Sequence, residues 1–162
     1  KYKIKGSFVH PVPVVDGKTQ SAGAKAKAIV LKKEFTAERD LFSIDYTSAY
    51  STPNLDKLIR TFVYDRQGEG NFTVSDEFTA NVPIRFETAI TTQADWKVLD
   101  DTRLLLTSGT EQMIVNIEAS GKVAFTSETI EVNASAYTRI GIALKEQAEK
   151  GYIWLKMQAK QL

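Results

Sequence analysis

Apolar side chains recur along this chain at every second position, the period of a half-buried β-strand, and seldom at the three-to-four spacing of a helix face. The clearest stretch predicts one strand over 82–90, with Val82, Ile84, Phe86, Thr88 and Ile90 on one face and Pro83, Arg85, Glu87 and Ala89 on the other. Tyr2 and Ile4 alternate with lysines, and Phe8, Val12, Val14 and Val15 form a run that ends at Asp16-Gly17, a favourable turn pair. Leu41 to Tyr46 alternates in part. Leu58 to Arg66 runs into Gly68-Glu69-Gly70 and is followed by Asn71 to Phe78, which predicts a hairpin. Further strands are expected at Trp96–Leu99, Arg103–Leu106, Met113–Glu118, Val123–Phe125, Thr129–Val132, Tyr137–Leu144 and Tyr152–Met157. About a dozen short strands with a turn every 8 to 12 residues or so predict an all-β protein, an antiparallel two-sheet β-sandwich. Two segments carry local helix signals. Ala22–Lys33 is rich in Ala and Lys, but Ala26, Ala28 and Val30 keep the period of two, so it is read as a strand; Leu144–Lys150, ahead of Gly151, is read as a polar loop.

Composition narrows this further. The chain has 162 residues, of which 43% are hydrophobic and 25% charged, a size and mixture that suit one soluble domain spanning 1–162. No linker, repeat or low-complexity tract offers a place to divide it. The net charge of +1 conceals an asymmetry: residues 1–33 hold eight lysines against Asp16 alone, so the remainder is acidic. Alternating lysines mark the solvated face of a strand, and a basic segment also suits an anionic polymer. The opening Lys1-Tyr2-Lys3-Ile4-Lys5 has neither an initiating Met nor a leader, and reads as the start of a piece cut from something longer. No apolar run approaches the length of a membrane-spanning helix.

Much chemistry is excluded. Without Cys there is no disulfide framework, thiolate metal site or thiol nucleophile. His10 is the only histidine, no Gly-x-Ser-x-Gly elbow is present, and no glycine spacing fits a phosphate-cradling loop. Asp76, Glu77, Glu87, Asp100 and Asp101 are available as paired carboxylates, but a domain of this size always offers such sets. Asn71-Phe72-Thr73 and Asn133-Ala134-Ser135 match the glycosylation pattern, which is too common to carry weight.

The segment around His10 says more. Gly6-Ser7-Phe8-Val9-His10-Pro11-Val12-Pro13-Val14-Val15-Asp16-Gly17-Lys18-Thr19-Gln20, with Ala22-Gly23 after it, resembles a motif in the C-terminal β-sandwich of bacterial heparinase II/III-like polysaccharide lyases. Asp45-Tyr46-Thr47-Ser48-Ala49-Tyr50 resembles that family's Asp-x-Thr-x-Ala-Tyr strand end, and Arg60 to Arg66 with Val74 to Phe78 its paired strands, so the likeness runs from residue 6 to about 78. Pro11 departs from the family, which commonly has Asn or Ser there.

The resemblance implies a two-part enzyme in which an upstream α-helical toroid supplies a catalytic Tyr and His, while the β-sandwich closes one side of the cleft and supports a metal. The reaction is β-elimination beside a uronic acid: the C5 proton leaves, the carboxylate charge is neutralised and an acid protonates the departing oxygen. This chain, lacking the toroid, is then expected to be inactive alone and to contribute a non-catalytic wall to the cleft for an acidic polysaccharide. The resemblance also implies a bacterial periplasmic or secreted parent. It places His10 at a late metal ligand, with an earlier His and an Asp upstream of this chain; Zn²⁺ suits imidazole, but a structural site wants about four ligands and this chain holds at most one. The other reading of His10 is a hydrogen-bonded structural residue at a sheet edge. Lys18 and Gln20, just past the Asp16-Gly17 turn, are candidates to contact an anionic saccharide, or else ordinary turn residues. Tyr46, Tyr50 and Tyr64 are read as packing aromatics. Trp96 and Trp154 either stack on sugar rings or pack, and Arg60, Arg66 and Arg85 suit carboxylate or sulfate without any sign that they converge. An apolar strip that meets the toroid is expected to lie exposed near the first 20 residues. A stand-alone carbohydrate-binding or adhesion module is the alternative function, and a domain that docks a partner along its edge strands is a third.

Overall fold

The computed structural model describes residues 6–132 and 135–160. Twelve antiparallel strands among them form two sheets. They are β1 (Val14–Val15), β2 (Ile29–Phe35), β3 (Arg39–Asp45), β4 (Leu55–Asp65), β5 (Asn71–Ile84), β6 (Phe86–Thr92), β7 (Asp95–Asp100), β8 (Arg103–Ser108), β9 (Glu111–Ala119), β10 (Val123–Val132), β11 (Ser135–Leu144) and β12 (Ala148–Ala159). The large sheet runs β2-β3-β4-β5-β12-β9-β8-β7 and the small one β1-β6-β11-β10. Alternate apolar residues of each strand meet between the sheets: Leu58, Phe78, Leu104, Val115, Ile117, Ile153 and Leu155 from one side, Val15, Phe86, Ile140 and Ile142 from the other. Phe78 and Phe86 stack across the gap with ring centres 4.4 Å apart. This is the predicted all-β sandwich.

The predicted strand over 82–90 is two strands. β5 leaves the large sheet at Ile84, β6 enters the small sheet at Phe86, and Arg85 alone lies between them. Ile84 and Phe86 both point into the core, so the alternation passes unbroken through a corner at which the chain changes sheets. Asp16 pins that corner. Its backbone N–H donates to the Arg85 carbonyl and its Oδ1 accepts from the Arg85 N–H, both at 2.9 Å. The Asp16-Gly17 turn itself is as expected, with φ of 49° and 75°, the left-handed pair that a tight hairpin turn requires.

Other expectations need correction. The run from Phe8 to Val15 pairs as a strand only at Val14–Val15; a 3₁₀ turn, Ser7–Val9, precedes it, and Pro11 and Pro13 deny the segment the N–H groups of a ladder. In Ala22–Lys33 pairing begins only at Ile29, because Gly23, at φ 118°, turns the chain beforehand. Leu144–Lys150 is mostly strand: β11 ends at Leu144, β12 begins at Ala148, and three residues connect them. The exposed large apolar side chains are Ile29, Val30, Leu31 and Phe35 on edge strand β2, with others on later strands, and none lies in the described part of the first 20 residues. Strand β2 is exposed on both faces. The alternation at Tyr2 and Ile4, and Asn133 and Ala134 of the second glycosylation match, lie outside the described residues.

Candidate functional site

A proline on each side of Val12 leaves the segment 9–13 with carbonyls that no strand can satisfy. Four side chains from three elements satisfy them instead. The Tyr137 hydroxyl donates to the Val9 carbonyl at 3.2 Å, Arg60 Nη1 to Pro11 at 2.6 Å, Arg139 Nη2 to Val12 at 3.3 Å and the Tyr50 hydroxyl to Pro13 at 2.9 Å. The Val12 N–H closes the loop on the His10 carbonyl at 2.8 Å. The backbone that carries His10 is therefore held by donors reaching from β4, β11 and the 3₁₀ turn Thr47–Ala49 that Tyr50 ends. His10 itself is exposed.

Two ion pairs, one buried and one half-buried, anchor the two arginines. Arg60 and Asp76 sit opposite each other in the β4–β5 hairpin, on the faces that Leu58, Phe78 and Val74 also occupy, and point between the sheets. The pair is bidentate, Nε to Oδ1 and Nη2 to Oδ2, each at 2.7 Å. Asp76 also accepts from the Tyr46 hydroxyl at 2.8 Å and the Thr88 hydroxyl at 2.6 Å. Four donors on one carboxylate make it an anion whose lone pairs are fully used. The second pair lies on the other side of the small sheet. Arg139 Nη1 donates to Glu87 Oε1 at 2.6 Å, and its guanidinium lies 4.4 Å from the centre of the Phe8 ring. Glu87 reaches Arg139 by lying across Gly141, where a Cβ would come within 2.8 Å of the Glu87 carboxyl carbon.

Burial raises the ionisation of Tyr46 well above the usual tyrosine range, and the neighbouring Asp76 carboxylate adds to it; Tyr50 is raised chiefly by burial. Both phenols are neutral donors. The sign for stability follows: a phenol raised in the folded state favours folding fully below its unfolded value near 10, and loses that contribution as pH rises towards the folded value. Thermal stability is expected to fall above about pH 10, each of these two phenols adding a slope of about 1.4 kcal/mol per pH unit. Melting curves between pH 8 and 11, for the wild type and for Tyr50→Phe, check this; the variant should show the shallower decline.

His10 opens on a cavity of about 300 Å³ lined by Val9, Thr91, Thr92, Gln93 and Tyr137. A neighbouring cavity of about 340 Å³ shares Thr92, Gln93 and Tyr137 and extends to Asp95 and the half-buried Trp96. His10 and Trp96 thus stand at the two ends of one polar groove along the margin of the small sheet. Lys18 and Gln20 line neither cavity. Lys18 Nζ donates to the Ser51 carbonyl at 3.2 Å, and the Gln20 carbonyl accepts from the Ser7 hydroxyl. Arg60 is committed to Asp76, Arg66 to Asp40 far along the hairpin, and exposed Arg85 stands at the corner, so the three do not converge. Tyr46 and Tyr50 pack edge to face, while Tyr64 is exposed beneath Arg66. Among the described residues no group of three His, Asp or Glu side chains is placed to hold a metal ion. The residues around His10 do not by themselves fit a zinc site.

No protein-family model matches the chain, and no curated protein sequence does either. Solved structures do. A structure of heparinase III superposes with a TM-score of 0.74 at 18% identity over 96% of this chain. A heparan sulfate lyase from Pedobacter heparinus gives 0.71 at 14% over 95%, and a second heparinase III, with methylated lysines, 0.73 at 11% over 98%. The chain spans 24% of the length of each. Its fold, a two-sheet antiparallel β-sandwich, is the fold of that quarter of the heparinase III and heparan sulfate lyase structures.

Proposed function

We propose that this chain is the non-catalytic β-sandwich of a larger polysaccharide lyase of the heparinase II/III kind. In this reading it forms one wall of a cleft for a uronic-acid glycan, and its parent is a bacterial periplasmic or secreted protein. The observation that carries the reading is the clamp on residues 9–13. Two ion pairs and two tyrosines converge on the carbonyls of a segment that buries Val9 and Pro13 and leaves its single histidine exposed at a polar groove, so that four side-chain donors are committed to fixing the backbone that presents His10. The similarity in fold over a quarter of two kinds of glycan lyase supports the reading, as does the sequence resemblance around His10.

The groove supplies one imidazole, the Tyr137 phenol already donating to Val9, the Gln93 amide and two threonine hydroxyls. These suit binding the hydroxyls and carboxylate of a sugar; the Asp95 carboxylate stands at the Trp96 end of the groove, and the Tyr137 phenol is engaged with the Val9 carbonyl. In this reading proton abstraction at C5 belongs to residues elsewhere in the larger polypeptide. Lys18 and Gln20 are kept as outlying saccharide contacts, and any zinc would draw its remaining ligands from outside this chain. The exposed apolar strand β2 is where the sandwich would meet the rest of that polypeptide.

The test is an eliminase assay by ultraviolet absorbance of the unsaturated uronate, using heparan sulfate and alginate. The chain alone should produce none and the complete product of its gene should produce it, with His10→Ala in that product lowering kcat/KM by about tenfold or more. A complete gene product without activity on any uronate polymer would refute the proposal.

A further inference from the structure

A depression lies away from His10, on the outer face of the large sheet. It measures about 580 Å³, within the range of small-ligand sites, and is lined by Lys57, Ile59, Glu77, Thr79, Lys150 and Tyr152, with Ser120, Phe78 and Gly151 completing it. Register explains the depression. Lys57, Thr79 and Lys150 form one cross-strand row on β4, β5 and β12, and Ile59, Glu77 and Tyr152 form the next. In the third row Trp154 stands beside Ser75 and Thr61, small hydroxyl side chains that leave the floor low. Tyr152 and Trp154 project from this face with ring centres 5.1 Å apart and planes at 44°, and Trp154 is 37% exposed. Tyr152 is half-buried, its hydroxyl donating to Glu118 at 3.4 Å, and the pair lies at the edge of an open depression on the face opposite the core.

We propose that this depression binds a uronate-bearing oligosaccharide, at a site separate from the His10 groove. A pyranose ring has an apolar C–H face and a polar rim. The Tyr152–Trp154 pair offers the electron-rich faces that suit the first, and Glu77 and Thr79 offer an acceptor and a hydroxyl for the second, Ser120 being engaged with the Tyr152 backbone. Lys57 and Lys150 flank Thr79 and have no ion-pair partner among the described residues, leaving two cations free for a sugar carboxylate. Glu77, in the next row, disfavours a densely sulfated chain and suits a glycan with one charge per sugar. The choice of an acidic glycan rests on the proposed function, whereas the location rests on this face alone.

Titration of the chain with an alginate oligosaccharide, followed by NMR shifts and tryptophan fluorescence in a Trp96→Phe background, tests it, with a cello-oligosaccharide of equal length as neutral control. Binding should perturb Trp154 and Tyr152. Trp154→Ala should weaken it about tenfold and Lys57→Ala/Lys150→Ala several-fold, His10→Ala should leave it unchanged, and added salt should weaken it. Thermal unfolding of each variant confirms that these surface changes leave the fold intact. Binding lost in His10→Ala but kept in Trp154→Ala would overturn the inference while leaving the proposed cleft wall standing. Equal affinity for the neutral glycan would overturn the assignment of the two lysines, and absence of binding would overturn the site.

Discussion

Asp76→Ala is expected to lower the stability of the sandwich by about 3–5 kcal/mol, the usual cost of removing one member of a buried ion pair. The carboxylate is 1% exposed and receives both nitrogens of Arg60 together with the hydroxyls of Tyr46 and Thr88. Without it a guanidinium stays charged between the sheets and two hydroxyls lose their acceptor. The ion pair need not favour folding in net terms, since its desolvation offsets its attraction, and so the informative variant removes both charges. Arg60→Met/Asp76→Leu should recover the part of the loss due to the stranded guanidinium, because a well-packed apolar pair of similar volume often does as well as a buried salt bridge, while the Tyr46 and Thr88 hydroxyls remain without their acceptor. It should not recover the His10 segment, because the Pro11 carbonyl will still lack the Arg60 Nη1 donor. Urea unfolding gives the first quantity and hydrogen exchange of the Val12 amide, bonded to the His10 carbonyl, gives the second. A double variant with wild-type protection at Val12 would show that the pair serves the core and that the clamp on His10 is incidental.

How far this arrangement could be read in advance depends on which regularity carried it. Two-residue periodicity and turn glycines were sufficient for the sandwich, for the Asp16-Gly17 turn and for the β4–β5 hairpin, because each depends on neighbours in sequence. The Arg60–Asp76 pair was also within reach. The two residues are equidistant from Gly68 in that hairpin, and each interrupts an apolar face, Leu58 and Phe62 on one strand, Val74 and Phe78 on the other. Opposite charges facing each other on the buried side of a hairpin are a signal of a buried pair, and reading Arg60 as a possible ligand contact overlooked it. Nothing local foretold the corner at Arg85, since a chain that changes sheets keeps its alternation whenever both sheets face the same core. The groove was equally hidden, because Trp96 and His10 meet at it only through the pairing of β6 with β11. Lys18 and Gln20, close to His10 in sequence, are led away from it by the turn that makes them conspicuous.

Gly141→Ala is expected to cost about 3 kcal/mol, through a charge rather than through volume. Gly141 pairs with Ala89 on β6 and Thr126 on β10, and a Cβ there would lie 2.4 Å from the Thr126 hydroxyl and 2.8 Å from the Glu87 carboxyl group. Neither neighbour can yield freely. Thr126 is β-branched and stiff, and Glu87 crosses this spot to reach Arg139, whose side chain is 3% exposed and whose Nε already has no partner. Pushing Glu87 aside would leave Arg139 buried with the Val12 carbonyl and the Phe8 ring as its remaining company, so the damage should reach the segment carrying His10. Gly141→Ala/Thr126→Ala separates the two costs, for it removes the contact with Thr126 and keeps the one with Glu87. Partial recovery in denaturant unfolding, with exchange at Val12 still faster than in the wild type, is the result that follows if Arg139 needs its anion. Complete recovery would mean that the steric contact with Thr126 was the whole cost, and that the path of Glu87 over a bare glycine has no part in holding the loop.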